Sequence, residues 1–263
     1  MGALHEGHAA LIRSARQIAD KAGKKGSVVV SIFVNPTQFG PKEDLSQYRR
    51  PFAQDQALCK REGVDLLFHP TPSEMYANDA SITVSESRLS IRLCGASRPG
   101  HFNGVCTVVA KLFQIVCPTI AIFGEKDWQQ LSIIRRMVRD LKMPVKIIAH
   151  PTVREEDETI KGLALSSRNL FLTPKARALA PRIYQALIET AMEAEAGETS
   201  VAKLRRGLLK DLAAISEAVV DYAEIVNEET MEPLKKIGHG AKARAVVAVR
   251  FAGVRLIDNI PVP

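Results

Sequence analysis

Leu11-Ile-Arg-Ser-Ala-Arg-Gln-Ile18, followed by Ser27-Val-Val-Val-Ser-Ile-Phe-Val34, decides the fold class of this chain. In the first stretch apolar residues recur at helical spacing through Leu11, Ile12, Ala15 and Ile18, and Gly23 stands where a helix would stop. The second is short, β-branched and almost continuously apolar, as a strand covered on both faces of a parallel sheet must be. A helix therefore leads into a buried strand, and the order recurs. Residues 51–62, closed by Gly63, lead to Val64-Asp-Leu-Leu-Phe68; residues 105–116 lead to Thr119-Ile-Ala-Ile-Phe123; residues 127–141 lead to Val145-Lys-Ile-Ile148. This alternation predicts an α/β protein with a Rossmann-like, doubly wound parallel sheet and helices on both faces.

After Pro174 the pattern changes. Two long helical stretches, 175–196 and 201–216, follow each other without a strand between them. Three strand-like runs close the chain at 219–226, 243–251 and 254–257, and the two-residue link Ala252-Gly253 suits an antiparallel hairpin. Two domains are expected: 1–172, which carries the parallel sheet, and 173–263, a smaller α+β unit.

Bulk composition narrows the function. The 263 residues are 46% hydrophobic and 25% charged, the balance of an ordinary globular protein. No apolar run approaches the roughly 18 residues of a membrane span and no secretory leader is apparent, so a cytoplasmic protein without a membrane partner is expected. Cys59, Cys94, Cys106 and Cys117 lack paired metal-binding spacing and are expected as free thiols. A net charge of +7 draws nucleic acid and small anions alike. The basic residues are scattered without interleaved aromatics, so no nucleic-acid partner is expected.

The motifs agree with a small anionic substrate. His5-Glu-Gly-His8 opens the first helix, where unsatisfied N–H groups and the helix dipole favour phosphate. Histidines three apart share one side of a turn, and Gly7 permits close approach of a nucleotide. Read alone, the tetrapeptide fits equally well a capped helix with two exposed histidines. Asn35-Pro-Thr-Gln-Phe39 and Gly124-Glu-Lys-Asp127 each follow a strand at its carboxyl end, where open α/β sheets gather ligands. A solvated turn would explain Gln38, and a helix cap would explain Asp127, equally simply.

Met1-Gly-Ala-Leu-His-Glu-Gly-His8 resembles the H-x-G-H signature of adenylate-forming nucleotidyltransferases, and specifically that of the pantothenate synthetase family. Phe33–Phe39, Arg98-Pro-Gly-His-Phe-Asn-Gly-Val105, Phe123–Leu131 and Leu165-Ser-Ser-Arg-Asn169 resemble that family's further motifs, in its order. The resemblance implies an AMP-forming ligase that activates pantoate with ATP as pantoyl-adenylate and passes the acyl group to β-alanine. It further implies catalytic roles for His5, His8, Lys126, Ser166, Ser167 and Arg168. Gln38 and Gln130 would hold pantoate. ATP would also meet Met1, Gly2, Gly124 and Asp127, while Asn35, Arg98 and His101 would form a pocket wall toward β-alanine. Magnesium is expected with ATP, with Asp55 as the candidate ligand; a homodimer and a C-terminal lid are implied as well.

Two departures from the family pattern stand out. The chain starts at the Met of the family's Pro-Thr-Met-Gly segment, so the first, central strand is expected to be missing. Glu158-Thr-Ile-Lys161 looks like an insertion on the approach to Ser166.

Overall fold

The computed structural model describes residues 1–23, 26–40, 45, 50–238 and 240–263. Its contacts divide the chain into two compact units. The first comprises Met1–Glu125 with Gln130–Pro151, the second Lys126–Gln129 with Thr152–Pro263. The division near Pro151 falls earlier in the chain than the domain boundary expected between 172 and 173.

The first unit runs α1 (Glu6–Lys21), β1 (Val29–Ser31), α2 (Phe52–Arg61), β2 (Leu66–Phe68), two single-turn helices α3 (Pro72–Met75) and α4 (Cys94–Ser97), α5 (His101–Val116), β3 (Ile120–Gly124), α6 (Trp128–Asp140) and β4 (Lys146–His150). The helix–strand alternation is therefore present, and all strand pairing here is parallel. Among the described residues hydrogen bonds join the four strands as two pairs, β1 with β2 and β3 with β4. Met1 extends the first pair on the other side of β1. Its amino group donates to Ser31 O and its carbonyl accepts from Phe33 N, bracketing Ile32 in the parallel manner.

Ile12 and Ala19 of α1 pack on Val28, Val30 and Ile32, every second residue along the β1 segment, together with Cys59 from α2. Arg16 pins α1 to the strand ends: its guanidinium donates to Asp65 at 2.7 Å and to the carbonyls of Gly63 and Gly26 at 3.3 and 3.2 Å. The amide of Val28 and then Arg16 hold the Asp65 carboxyl below its usual range.

Three local expectations are corrected. β1 is three residues long rather than eight, because only Val29–Ser31 face β2 in register. β3 is half-buried along its whole length, although its sequence reads as fully covered. α5 begins at His101 rather than Val105, because Gly100 adopts a left-handed φ of 82° and starts the helix inside what reads as a loop.

The second unit holds α7 (Pro174–Leu179), α8 (Arg182–Glu195), α9 (Val201–Ala213), β5 (Ala218–Asn227), β6 (Ala243–Phe251) and β7 (Val254–Val262). The single helix expected over 175–196 is split, because Pro181 has no N–H to donate and interrupts the ladder. The strands form an antiparallel sheet in the order β5-β6-β7. The expected hairpin joins β6 to β7, and both link residues have positive φ, 46° at Ala252 and 90° at Gly253. α8 lies on β7 and α9 on β5, enclosing Leu187, Leu204, Leu208, Ile225, Val247 and Phe251. Burying such side chains stabilises by about 1.5–3 kcal/mol each before entropy is counted.

Ahead of α7, residues 153–165 form a hairpin: Glu155 N donates to Leu163 O, Gly162 N to Glu155 O and Leu165 N to Val153 O. The segment Glu158–Lys161 is at its tip. Asp157 caps Thr159, and Lys161 pairs with Glu158 at 2.8 Å on the surface.

Candidate active site

The first unit brings together the N-terminal motif and the loop after β1. His5 is the N-cap of α1, a 16-residue helix, with extended φ and ψ of −137° and 177°. Its backbone N–H meets His8 Nδ1 at 3.3 Å, and the two rings lie 4.1 Å apart, tilted by 45°. With Nδ1 accepting, neutral His8 carries its proton on Nε2, the tautomer that can donate to an oxyanion. The positive end of α1 adds to the same preference for negative charge.

What holds this motif in place is Asp55. Only 2% exposed on the first turn of α2, it accepts Ala3 N at 3.0 Å on one carboxylate oxygen and Leu4 N at 2.7 Å on the other. Both oxygens are thus occupied in fixing the chain that enters α1. Among the described residues no group of three His, Cys, Asp or Glu side chains is placed to hold a metal ion. Asp55, the residue expected to meet magnesium, thus also fixes the backbone that leads into α1.

Gln38 ends a 3-10 turn, Pro36–Gln38, capped by Asn35. Asn35 is buried, and its Nδ2 donates to Gly104 O at 3.1 Å while its Oδ1 accepts from Thr37 and from the Tyr76 hydroxyl. Burial raises the Tyr76 phenol, which keeps it a donor. The Gln38 carbonyl accepts from His101 Nδ1 at 2.8 Å and from an Arg98 guanidinium nitrogen at 3.3 Å; another Arg98 nitrogen lies 3.0 Å from His101 Nε2. One neutral tautomer satisfies the whole cluster: Nδ1–H donates to the carbonyl and Nε2 accepts from Arg98. Arg98 and His101 therefore act on the chain at Gln38, and Asn35 Nδ2 donates to Gln38 Oε1 at 3.4 Å as well as to the scaffold. Gly104 and Tyr76 complete this cluster without having been anticipated. Gly104 lies within the 98–105 motif, but its partner and that of Tyr76 are tens of residues away in the chain. Gln130, half-buried in the first turn of α6, belongs to this unit too.

The second unit carries Ser166–Arg168 and the later half of the Gly124–Asp127 motif, whose first two residues belong to the first unit. Gly124 ends β3, and Glu125–Asp127 form a 3-10 turn before α6. From Lys126 to Gln129 the chain belongs with the C-terminal residues. Lys126 is mostly covered, its ammonium 3.9 Å from Asp127, and its carbonyl accepts Asn259 Nδ2 at 2.9 Å. Trp128 donates its indole N–H to Glu228 O at 3.0 Å. Ser166 caps a 3-10 turn, Ser167–Phe171, by accepting Arg168 N on its hydroxyl at 3.2 Å. Half-buried Ser167 and Arg168 open that turn, and buried Asn169 ties it back to Ala164 O at 3.0 Å.

Comparison with known proteins decides the family. The model of the family Pantoate-beta-alanine ligase matches residues 1–261, essentially the whole chain. The chain belongs to the pantoate–β-alanine ligase family. Relatives described as pantothenate synthetase include one from Thermotoga petrophila, 50% identical over 98% of this chain and 88% of its own length. One from Akkermansia muciniphila is also 50% identical, over 99% of this chain and 89% of its own. Among solved structures, pantothenate synthetase from Thermus thermophilus is similar at 49% identity with a TM-score of 0.91, covering 100% of this chain and 91% of its own. A pantoate-beta-alanine ligase from Francisella tularensis, described as complexed with beta-gamma ATP and beta-alanine, is similar at 34% identity with a TM-score of 0.77, over 99% and 87% of the two chains. Membership makes this chain a ligase of pantothenate biosynthesis, and it agrees with the α/β fold seen here.

Proposed function

We propose that this ligase binds ATP, pantoate and β-alanine and works in two steps. Pantoate carboxylate attacks the α-phosphorus in line, forming the acyl–phosphate bond of pantoyl-adenylate and expelling pyrophosphate. The β-alanine amine then attacks the activated carbonyl, forming the amide, losing a proton and releasing AMP. The observation that carries this reading is the His5–His8 pair at the positive end of α1, its rings 4.1 Å apart and its chain fixed by Asp55. Imidazole donors, helix N–H groups and the backbone at Met1 and Gly2 suit a triphosphate.

Lys126 and the Ser166-Ser167-Arg168 turn would neutralise charge that grows on the phosphates as pyrophosphate leaves. Asp127 and Gly124 would meet the nucleotide. Gln38 and Gln130 would read the hydroxyls of pantoate, because an amide left unpaired against an analogue lacking them costs binding. Arg98 and His101 would serve through Gln38, whose carbonyl they hold, as the wall of the pantoate and β-alanine pocket. Most of the acceleration would come from holding two reactants together, which removes entropy from the barrier. Magnesium would arrive with the ATP phosphates. A homodimer in the cytoplasm completes the proposal.

The two-step order has a direct test. Exchange of labelled pyrophosphate into ATP should require pantoate and proceed without β-alanine. Exchange that needs β-alanine would overturn a free adenylate stage.

A further inference from the structure

Lys126 and the hairpin that leads into Ser166 are both held by one strand. β7 places Asp258 and Asn259 side by side, 5% and 4% exposed. Asn259 Nδ2 donates to Lys126 O at 2.9 Å, and Asn259 Oδ1 accepts from Arg244 at 2.6 Å. The orientation of this amide is forced, since a flip would set its NH2 against the guanidinium and its oxygen against a carbonyl. Arg244 is itself locked: Nε and a second nitrogen reach Glu228 Oε1 at 2.9 and 2.8 Å, and its guanidinium stacks 3.4 Å over the Trp128 ring. The chain at Lys126 is therefore fixed from Asn259 and, two residues on, from Trp128.

Asp258 does the corresponding work for the other motif. Its oxygens accept a bidentate pair from Arg154 at 2.6 and 2.9 Å, and Oδ1 also takes the amide of Asn259 at 2.8 Å. Arg154 stacks on Tyr184 at 3.6 Å and donates to Gly162 O at 3.0 Å, across the hairpin whose outgoing arm runs into Ser166. A planar guanidinium held on both edges and one face has little freedom left.

We propose that Asn259 and Asp258 are positioning residues for adenylation, Asn259 setting Lys126 and Asp258, through Arg154, setting the Ser166–Arg168 turn. The two neighbours on one strand fix the spacing between the segments that would grip the triphosphate. This rests on the reading that Lys126 and Arg168 meet phosphate.

The test uses full-length protein, pantoate-dependent pyrophosphate exchange, single-turnover transfer from supplied pantoyl-adenylate to β-alanine, and melting temperature. Asn259→Asp still accepts from Arg244 and cannot donate to the Lys126 carbonyl, so it removes the contact to Lys126 while keeping the one to Arg244. Asn259→Ala and Asn259→Asp should each slow exchange by about ten- to a hundredfold, with transfer from supplied adenylate changed by less than about twofold. Asn259→Asp should melt below the parent, because a buried carboxylate oxygen then faces the Lys126 carbonyl, and the split between exchange and transfer is what separates positioning from a general loss of stability. In a Lys126→Ala background neither change should slow exchange further, and Asp258→Asn should likewise add nothing to Arg168→Ala. Parental exchange by Asn259→Asp, or losses that multiply with Lys126→Ala, would overturn the proposal. Parental exchange by Lys126→Ala itself would instead sink the phosphate reading on which it rests.

Discussion

Gly104 passes so close to Thr37 that a β-carbon on it would stand 2.5 Å from the Thr37 carbonyl oxygen. The obstacle is backbone, and backbone cannot swing aside as a side chain can. Gly104 is what lets α5 support the turn bearing Gln38. Gly104→Ala is expected to destabilise by about 1–3 kcal/mol through overpacking. By pushing the turn away it should also raise KM for pantoate about tenfold, with KM for ATP little changed. Steady-state kinetics with each substrate varied, beside a denaturant melt, check both.

Asp55 offers a choice between two roles that one variant separates. Removing its carboxylate with Asp55→Ala leaves the amides of Ala3 and Leu4 without their acceptors, which costs about 1–3 kcal/mol. The fall in melting temperature should come with weaker ATP binding, since His5 and His8 follow directly. The magnesium concentration for half-maximal activity should stay at the parental value. A large rise in that concentration with no loss of stability would return Asp55 to the metal.

The hairpin between β6 and β7 carries avoidable strain. Ala252 holds φ at 46°, a left-handed conformation that costs a residue with a β-carbon about 1 kcal/mol. Ala252→Gly should recover most of that cost, and Gly253→Ala at φ 90° should lose stability instead. Opposite shifts in the unfolding midpoint are the expected result.

The thiols report on packing. Cys59, Cys94 and Cys106 are buried and Cys117 is exposed. Burial, with Glu86 adding repulsion, pushes the Cys106 thiol up to about 11. Because its pKa is raised in the folded state, the stability it contributes is full below the ordinary thiol range and is lost as pH rises through about 11. A disulfide reagent at pH 8 should therefore titrate one thiol quickly in the native protein and all four cysteines after unfolding.

How much of this was legible in the sequence differs from element to element. The order of helices and strands in the first unit follows from apolar periodicity, and Ala252-Gly253 marked its hairpin. The helix start at His5 and His8 could be read because its residues are neighbours in the chain. Asp55 could not be understood that way: on the helix it looks like a solvated acid, and only the fold brings two backbone amides to it. Gly104 reads as part of a loop ahead of the helix until Thr37 is laid against it. Asn259 and Asp258 look like ordinary polar residues in a strand, their partners far away in the chain. Pro181 is different, since it breaks a helical pattern from within and its effect is local.

The central claim, that ATP is spent as AMP in joining pantoate to β-alanine, is met most directly by measuring AMP released from ATP while each substrate is omitted in turn. AMP should accumulate with ATP, pantoate and β-alanine together, vanish without pantoate, and fall to at most a single enzyme equivalent without β-alanine. Sustained AMP release in the absence of pantoate would contradict the account.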